Sequence, residues 1–171
     1  MEILANIVSN KITTNSPASF TLYDQSAFGE KTEGKIQYSL TESLFLVEIK
    51  KIKILEKNKN LSFEELEKKF SKIDKKIAIK YVVYKDLRKK GYIPKTALKF
   101  GADFRVYKKS SKIGKDHSKW IVFADSENNK LSWQDFSGKN RIAHSTKKTL
   151  LLAIVDEEQS VSYYEVDWKK I

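Results

Sequence analysis

Tyr107 and His117 stand ten residues apart, at the two mouths of one loop. The loop reads Lys108-Lys109-Ser110-Ser111-Lys112-Ile113-Gly114-Lys115-Asp116, and its four lysines suit it to holding phosphate. His117 follows at once, in a polar setting where an imidazole titrates near neutral pH. Tyr107 closes the stretch Ala102–Tyr107, in which Phe104 and Val106 alternate with Asp103, Arg105 and Tyr107. Alternation of that kind marks a strand. The apolar pair gives the core face, so Tyr107 is expected on the polar face at the strand end, with Arg105 beside it. Such a pair could give and take protons on a phosphate-bearing substrate. The same spacing equally suits a surface tyrosine and a surface histidine flanking a solvated loop, and spacing alone does not separate the two.

The other candidate groups are fewer. The second histidine, His144, lies in Arg141-Ile142-Ala143-His144-Ser145, a helical stretch of mixed polarity that suggests a hydrogen-bonded packing role. Lys147 and Lys148 end that stretch, where a helix dipole favours lysine anyway, so neither is diagnostic unaided. The chain has no cysteine, which removes disulfides, cysteine–zinc sites and thiol nucleophiles and fits an intracellular protein. Asp86 and Asp103 have no spacing that joins them at a metal, which speaks against a metal-dependent nuclease; no metal and no cofactor are expected.

Charge points to a partner class. Thirty-three Lys+Arg against 22 Asp+Glu give +11, which favours a polyanion because each neutralised phosphate releases counterions. A lysine-rich surface adapted to salt or heat would show the same balance. No run of ~18 apolar residues could cross a membrane. Residues 1–10 lack the basic-then-apolar order of a signal peptide, so a cytoplasmic location is expected.

These groups must be held by an α/β (α+β) chain. The first 38 residues alternate short apolar runs with turn residues and predict small strands. Ser39 with Glu42, and Ser62 with Glu65, have capping-box spacing ahead of apolar stripes, and a third helix from Asp74 stops at Gly91. Its basic face, with Lys80, Lys85, Arg88, Lys89 and Lys90, suits solvent as well as RNA. Beyond Gly91, residues 92–95, 98–100, 102–107 and 119–124 read as strands. Residues 131–147 read as helix interrupted near Gly138, 150–155 as a strong apolar strand, 156–160 as an acidic turn and 161–168 as a last strand. A boundary near 74–80 separates a small N-terminal mixed α/β domain (1–76) from a C-terminal domain (77–171) with a central mixed sheet flanked by helices. The two are expected to pack together.

Several of these stretches, in order, resemble the archaeal tRNA-intron splicing endonucleases. Tyr84-Lys85-Asp86-Leu87-Arg88-Lys89-Lys90-Gly91-Tyr92-Ile93 is similar to that family's Y-x-D-L-R-x-R-G-Y-x-V entry to the catalytic domain. Lys99-Phe100-Gly101-Ala102-Asp103-Phe104-Arg105-Val106-Tyr107 resembles its K-[FY]-G-A-D-F-R-x-Y strand, with His117-Ser118 at the family's spacing. Arg141-Ile142-Ala143-His144-Ser145-Thr146-Lys147-Lys148 is similar to R-V-A-H-S-V-R-K. Leu151-Leu152-Ala153-Ile154-Val155-Asp156 and Tyr163-Tyr164 also agree. The likeness is strong over 81–168; before that it rests on Leu61-Ser62-Phe63-Glu64-Glu65-Leu66 and the order of elements.

The resemblance implies a catalytic triad of Tyr107, His117 and Lys148. It implies metal-independent cleavage of precursor tRNA at a bulge–helix–bulge, in which a 2′-hydroxyl attacks its own 3′-phosphate and leaves 2′,3′-cyclic phosphate and 5′-hydroxyl ends. Tyr107 would take the 2′ proton. A phenol ordinarily ionises near pH ~10, so it would need positive charge such as Lys148 or Arg105 nearby. His117 would protonate the leaving oxygen and Lys148 would steady the phosphorane. Arg141 corresponds to one half of a clamp on a bulged base; the other arginine has no clear match, and Tyr163 stands near its place and could stack instead. Asp156, Glu157 and Glu158 resemble the acidic loop that enters a neighbouring subunit, implying a homotetramer or a heterotetramer with a related structural subunit. The main alternative is a non-catalytic RNA-binding module of the same fold; a purely structural assembly subunit fits poorly with an intact triad.

Overall fold

The computed structural model describes residues 2–171. They form two compact units, one running through Tyr81 and the other starting at Val82. Both mix helices with a sheet.

The first unit contains β1 (Ile3–Val8), β2 (Lys11–Thr14), α1 (Pro17–Ser26), β3 (Glu30–Thr32), β4 (Lys35–Tyr38), α2 (Leu40–Glu48), β5 (Ile52–Glu56), β6 (Lys59–Asn60) and α3 (Phe63–Ile73). The six strands lie in the order β3-β4-β2-β1-β5-β6. All neighbours are antiparallel except β1 and β5. Period-two alternation buries Ile3, Ala5, Ile12, Ile36, Tyr38, Ile52 and Ile54 on one face. Both predicted capping boxes form: the Ser39 and Ser62 hydroxyls accept from the backbone N–H of Glu42 and Glu65, whose carboxylates accept in return from the cap N–H groups. Each such cap contributes about 1 kcal/mol. Glu42 does more, since its other carboxylate oxygen accepts the Gly29 N–H at 3.1 Å.

Residues 17–26 depart from the expected small strands and form α1. Pro17 at the first helical turn presets the backbone. The Ser16 carbonyl accepts the Ser19 N–H at 2.9 Å, and Ser19 is fully buried. The apolar residues of α1 follow no clear period, so the local backbone determines the helix where the pattern is silent. Strands β5 and β6 likewise fill a stretch given no element by the sequence reading.

Helix α4 (Ile77–Lys89) spans the division between the units. The second unit continues with β7 (Ile93–Ala97), a 3-10 turn (Leu98–Phe100), β8 (Ala102–Tyr107), β9 (Trp120–Ser126), α5 (Trp133–Ser145), β10 (Thr149–Val155) and β11 (Val161–Val166). Its sheet has the order β11-β10-β9-β8-β7. Only β9 and β10 pair in parallel, with α5 as the crossover between them. One face packs Ile121, Phe123 and Leu150 against Ala143 of α5. On the other, Phe104 meets Tyr84 of α4 with ring centroids 6.0 Å apart.

Two expectations fail here. Leu98–Phe100 is a 3-10 turn closed by Gly101 at φ +69°, not a strand; Leu98 is 75 % exposed, and no alternation is sustained across three residues. Helix α5 runs unbroken through Gly138, because one glycine in a helix interior costs only about 1 kcal/mol and its neighbours outweigh it.

Candidate active site

Topology gathers three candidate residues at one end of the second sheet. Tyr107 ends β8, His117 sits just before β9, and Lys148 just before β10. Adjacent backbone hydrogen bonds tie these ends together: Lys119 N–H donates to the Val106 carbonyl at 2.9 Å, and Thr149 N–H donates to the Lys119 carbonyl at 3.0 Å. Tyr107 and Lys148 are thus two strand spacings apart at the backbone, ~10 Å.

Each member is delivered by its own device. The loop between β8 and β9 folds around Asp116, whose carboxylate accepts the Lys112 N–H at 2.6 Å while its own N–H donates to the Lys112 carbonyl at 2.9 Å. Gly114 supplies the positive φ of +88° in that turn. His117 emerges exposed from it, anchored by buried Ser118. Lys148 is launched by the end of α5. Lys147 adopts φ +56°, its N–H donates to the His144 carbonyl at 3.0 Å, and the Lys148 N–H donates to the Ala143 carbonyl at 2.9 Å. That pair of hydrogen bonds is a Schellman motif, which turns the chain sharply from helix into strand. The Lys148 ammonium donates to the Thr146 carbonyl at 3.4 Å.

Tyr107 corrects one expectation. It is only 5 % exposed, not open on a polar face, and the Arg105 guanidinium lies 5.9 Å from its ring centroid. Burial at a strand end orients the phenol and shields it from bulk water. Lys148 sits below the ordinary lysine pKa, first because burial penalises its charge and then because Arg105 and Lys99 are close enough to repel it. Lys99 and Arg105 therefore share the electrostatic field of Lys148. Lys99 opens the K-[FY]-G-A-D-F-R-x-Y stretch in the sequence, but nothing there placed it near Lys148.

The remaining candidates separate. Arg141 lines a pocket of about 400 Å³ with Phe136, Asn140, His144 and Trp168. Trp168 is 54 % exposed, and its ring centroid lies 4.5 Å from that of His144. This presents a cation and an open aromatic face in one cavity. Tyr163 is placed elsewhere, in a pocket of about 260 Å³ with Leu87, Lys90, Trp120 and Leu151. Its hydroxyl donates to Asp86 at 2.7 Å, and the Lys90 ammonium stands 5.0 Å from its ring centroid. Burial, then the Asp86 hydrogen bond and charge, raise the Tyr163 phenol well above its usual range. Sequence reading missed Trp168 because β11 ends at Val166, two residues before it, not at 168 as expected.

The acidic turn is partly self-satisfied. Asp156 accepts the Ser160 N–H at 2.8 Å and so shapes the turn, Glu157 accepts from Asn128 at 3.4 Å, and Glu158 is exposed. Among the described residues no three His, Asp or Glu side chains gather where they could hold a metal ion, and no helix is long and apolar enough to cross a membrane.

Comparison with known proteins agrees along both units. Residues 77–163 match the model of the tRNA intron endonuclease catalytic C-terminal domain, and residues 4–67 that of its N-terminal domain. The chain is 45 % identical to a tRNA-splicing endonuclease of Thermococcus onnurineus over 149 residues, covering 87 % of this chain and 85 % of that one. It is 42 % identical to the protein of that name from Pyrococcus abyssi, covering 92 % and 91 %. With the one from Methanococcus vannielii it shares 39 % identity, covering 99 % and 96 %. A buried tyrosine, a loop histidine and a desolvated lysine at one sheet end thus sit in a chain that belongs, over both of its units, to the tRNA intron endonuclease family.

Proposed function

We propose that this endoribonuclease removes introns from precursor tRNA by internal transesterification at a bulge–helix–bulge, with Tyr107, His117 and Lys148 as its catalytic residues. The observation that carries the reading is the convergence of the three on adjacent strand ends, with Lys148 in a cationic cluster. Tyr107 accepts the 2′ proton as the O2′–P bond forms. The P–O5′ bond breaks, and His117 protonates the departing 5′ oxygen. Lys148 stabilises the charge that builds on the phosphorane oxygens. The ends are a 2′,3′-cyclic phosphate and a 5′-hydroxyl, and the reaction consumes neither water nor a metal ion.

Substrate contacts fall to the Arg141 pocket and the cluster around Lys148. A base swung out of the bulge stacks between the Arg141 guanidinium and the Trp168 indole. Tyr163, tied to Asp86, supports the sheet beneath the site more than it reaches RNA, and Arg105 serves the scissile phosphate beside Lys148. Two scissile bonds on one substrate call for two paired active sites, hence a homotetramer or a heterotetramer with a related structural subunit. In that assembly Glu158, with Asp156 and Glu157 shaping its turn, enters a basic pocket of a neighbour. Processing of tRNA puts the protein in the cytoplasm.

The test is cleavage of an intron-containing precursor tRNA in excess EDTA, with end-group analysis. Cyclic phosphate and 5′-hydroxyl ends are expected, with a loss of ~10²–10⁴-fold in rate for His117→Ala and retained RNA binding. Activity abolished by EDTA, or unaffected by His117→Ala, would refute the mechanism. Cleavage by the chain alone would indicate a homo-oligomer; cleavage only after a related subunit is added would indicate the heterotetramer.

A further inference from the structure

The sheet of the first unit has a second face, turned away from the side that meets α1 and α2. Leu4, Asn6, Val8, Lys11, Thr13, Lys35, Gln37, Lys53 and Leu55 alternate onto it. Cross-strand register aligns Gln37, Thr13, Asn6, Leu55 and Asn60 in one row over five strands. On this face lies a pocket of about 420 Å³. Its polar lining is Asn6, Thr13, Thr14, Asn15, Lys35, Lys57 and Asn58, and no carboxylate or aromatic ring lines it.

The two lysines, together with Lys11 on the same face, differ from several of their neighbours. Lys31, Lys53, Lys59 and Lys69 are each paired with a carboxylate. Lys35 and Lys57 have no ion pair among the described residues, and both are exposed. Register puts them at opposite corners of the pocket. Lys35 lies beside Asn15 and Lys57 beside Val8, three strands and four residues apart. That is ~14 Å across the strands and ~13 Å along them. A single small anion cannot satisfy both at once, whereas an extended polyanion can. Without aromatic rings the pocket offers no stacking to bases, so recognition falls on phosphates and ribose hydroxyls.

We propose that this pocket is an auxiliary RNA-backbone site, where Lys35 and Lys57 engage phosphates and Asn6, Asn15 and Asn58 engage ribose hydroxyls of the precursor away from the scissile bonds. The inference rests on the tRNA reading for the identity of the polyanion, and on none of the cleavage chemistry. Such a site adds affinity for the body of the substrate without adding sequence specificity.

The test uses the full chain carrying Lys35→Gln and Lys57→Gln together, in a His117→Ala background so that substrate survives. Binding of labelled precursor tRNA is measured against salt, beside a short RNA that holds only the bulge–helix–bulge. The double variant is expected to weaken precursor binding roughly 10-fold and to lower the log–log salt slope by ~1.4–1.8, the value for two phosphates. Short-RNA affinity is expected to change less than ~2-fold, and Lys35→Arg with Lys57→Arg to restore precursor binding. Unchanged affinity and slope on the precursor would overturn this site alone. Equal weakening on both RNAs would also overturn it, by putting the lysines in the cleavage region or in the fold. A chain with intact lysines that binds no precursor tRNA would overturn the functional reading as well.

Discussion

Lys148 carries the sharpest consequence at the scale of single residues. Burial and the charges of Arg105 and Lys99 hold its pKa below that of an ordinary lysine. It therefore sheds its proton at lower pH than the exposed lysines, and the cationic role proposed for it fades as pH rises through that lowered value. Removing one repelling charge works the other way, so Lys99→Gln should move the Lys148 titration upward. NMR of reductively ¹³C-methylated protein, with Lys148 assigned by Lys148→Arg, reads this directly. A Lys148 signal titrating with the surface lysines, or unmoved by Lys99→Gln, would refute the clustered geometry. How much of the site can be read from sequence is also a residue-level matter. Tyr107 and His117 bracket one short loop, so their proximity is legible from chain distance alone. Lys99 and Trp168 approach Lys148 and Arg141 only through the fold; no local pattern marks Trp168, and the motif that Lys99 opens does not point to Lys148. The burial of Tyr107 was equally hidden, because period-two alternation says which face a side chain takes and nothing about what covers that face.

Among the elements, α5 governs where Lys148 goes. Its Schellman ending requires a left-handed residue, and Lys147 occupies that place at φ +56°. A side chain there costs about 1 kcal/mol that glycine avoids. Lys147→Gly should therefore raise stability by about 1 kcal/mol in urea denaturation and keep Lys148 in place. Gly138 offers a second gain in the same helix. A Cβ at that position meets nothing within 4 Å, so Gly138→Ala should add about 0.5–1 kcal/mol. A fall in stability for either substitution would contradict the helix as described. The capping boxes, the apolar stripe of α3 and the strong β10 run were legible in sequence because each depends on near neighbours. Helix α1 was not, since its evidence is one proline and one buried serine. The 3-10 turn after β7 was not, since three residues hold no period.

On the scale of the whole molecule, three phenols, Tyr38 and Tyr81 buried and Tyr163 half-buried, set an alkaline limit. Burial first, then Glu42 beside Tyr38, Glu48 beside Tyr81 and Asp86 beside Tyr163, raise all three above the ordinary tyrosine range. The unfolded chain releases these protons near pH ~10, while the folded chain keeps them. Above that pH the folded state binds more protons, so stability is fully present below pH ~10 and declines as pH rises beyond it. Tyr163→Phe should cost about 1 kcal/mol at pH ~8 through the lost Asp86 hydrogen bond, and less at pH ~11, where that phenol no longer contributes a pH slope. Denaturant titrations at the two pH values check this. An identical loss at both would show that Tyr163 ionises normally. The general architecture, two mixed α/β units on a basic chain, was legible from helix caps and strand runs. The order of strands was not, because pairing over long chain distances leaves no local trace.

The parallel seam between β9 and β10 has a consequence in time. Tyr107 and His117 belong to neighbouring antiparallel strands joined by one loop, whereas Lys148 reaches them only after the α5 crossover has closed. Long-range parallel pairing forms more slowly than a hairpin. A newly made chain is thus expected to bring Tyr107 and His117 together first and Lys148 last. Under the proposed mechanism, cleavage therefore has to wait until the seam is shut.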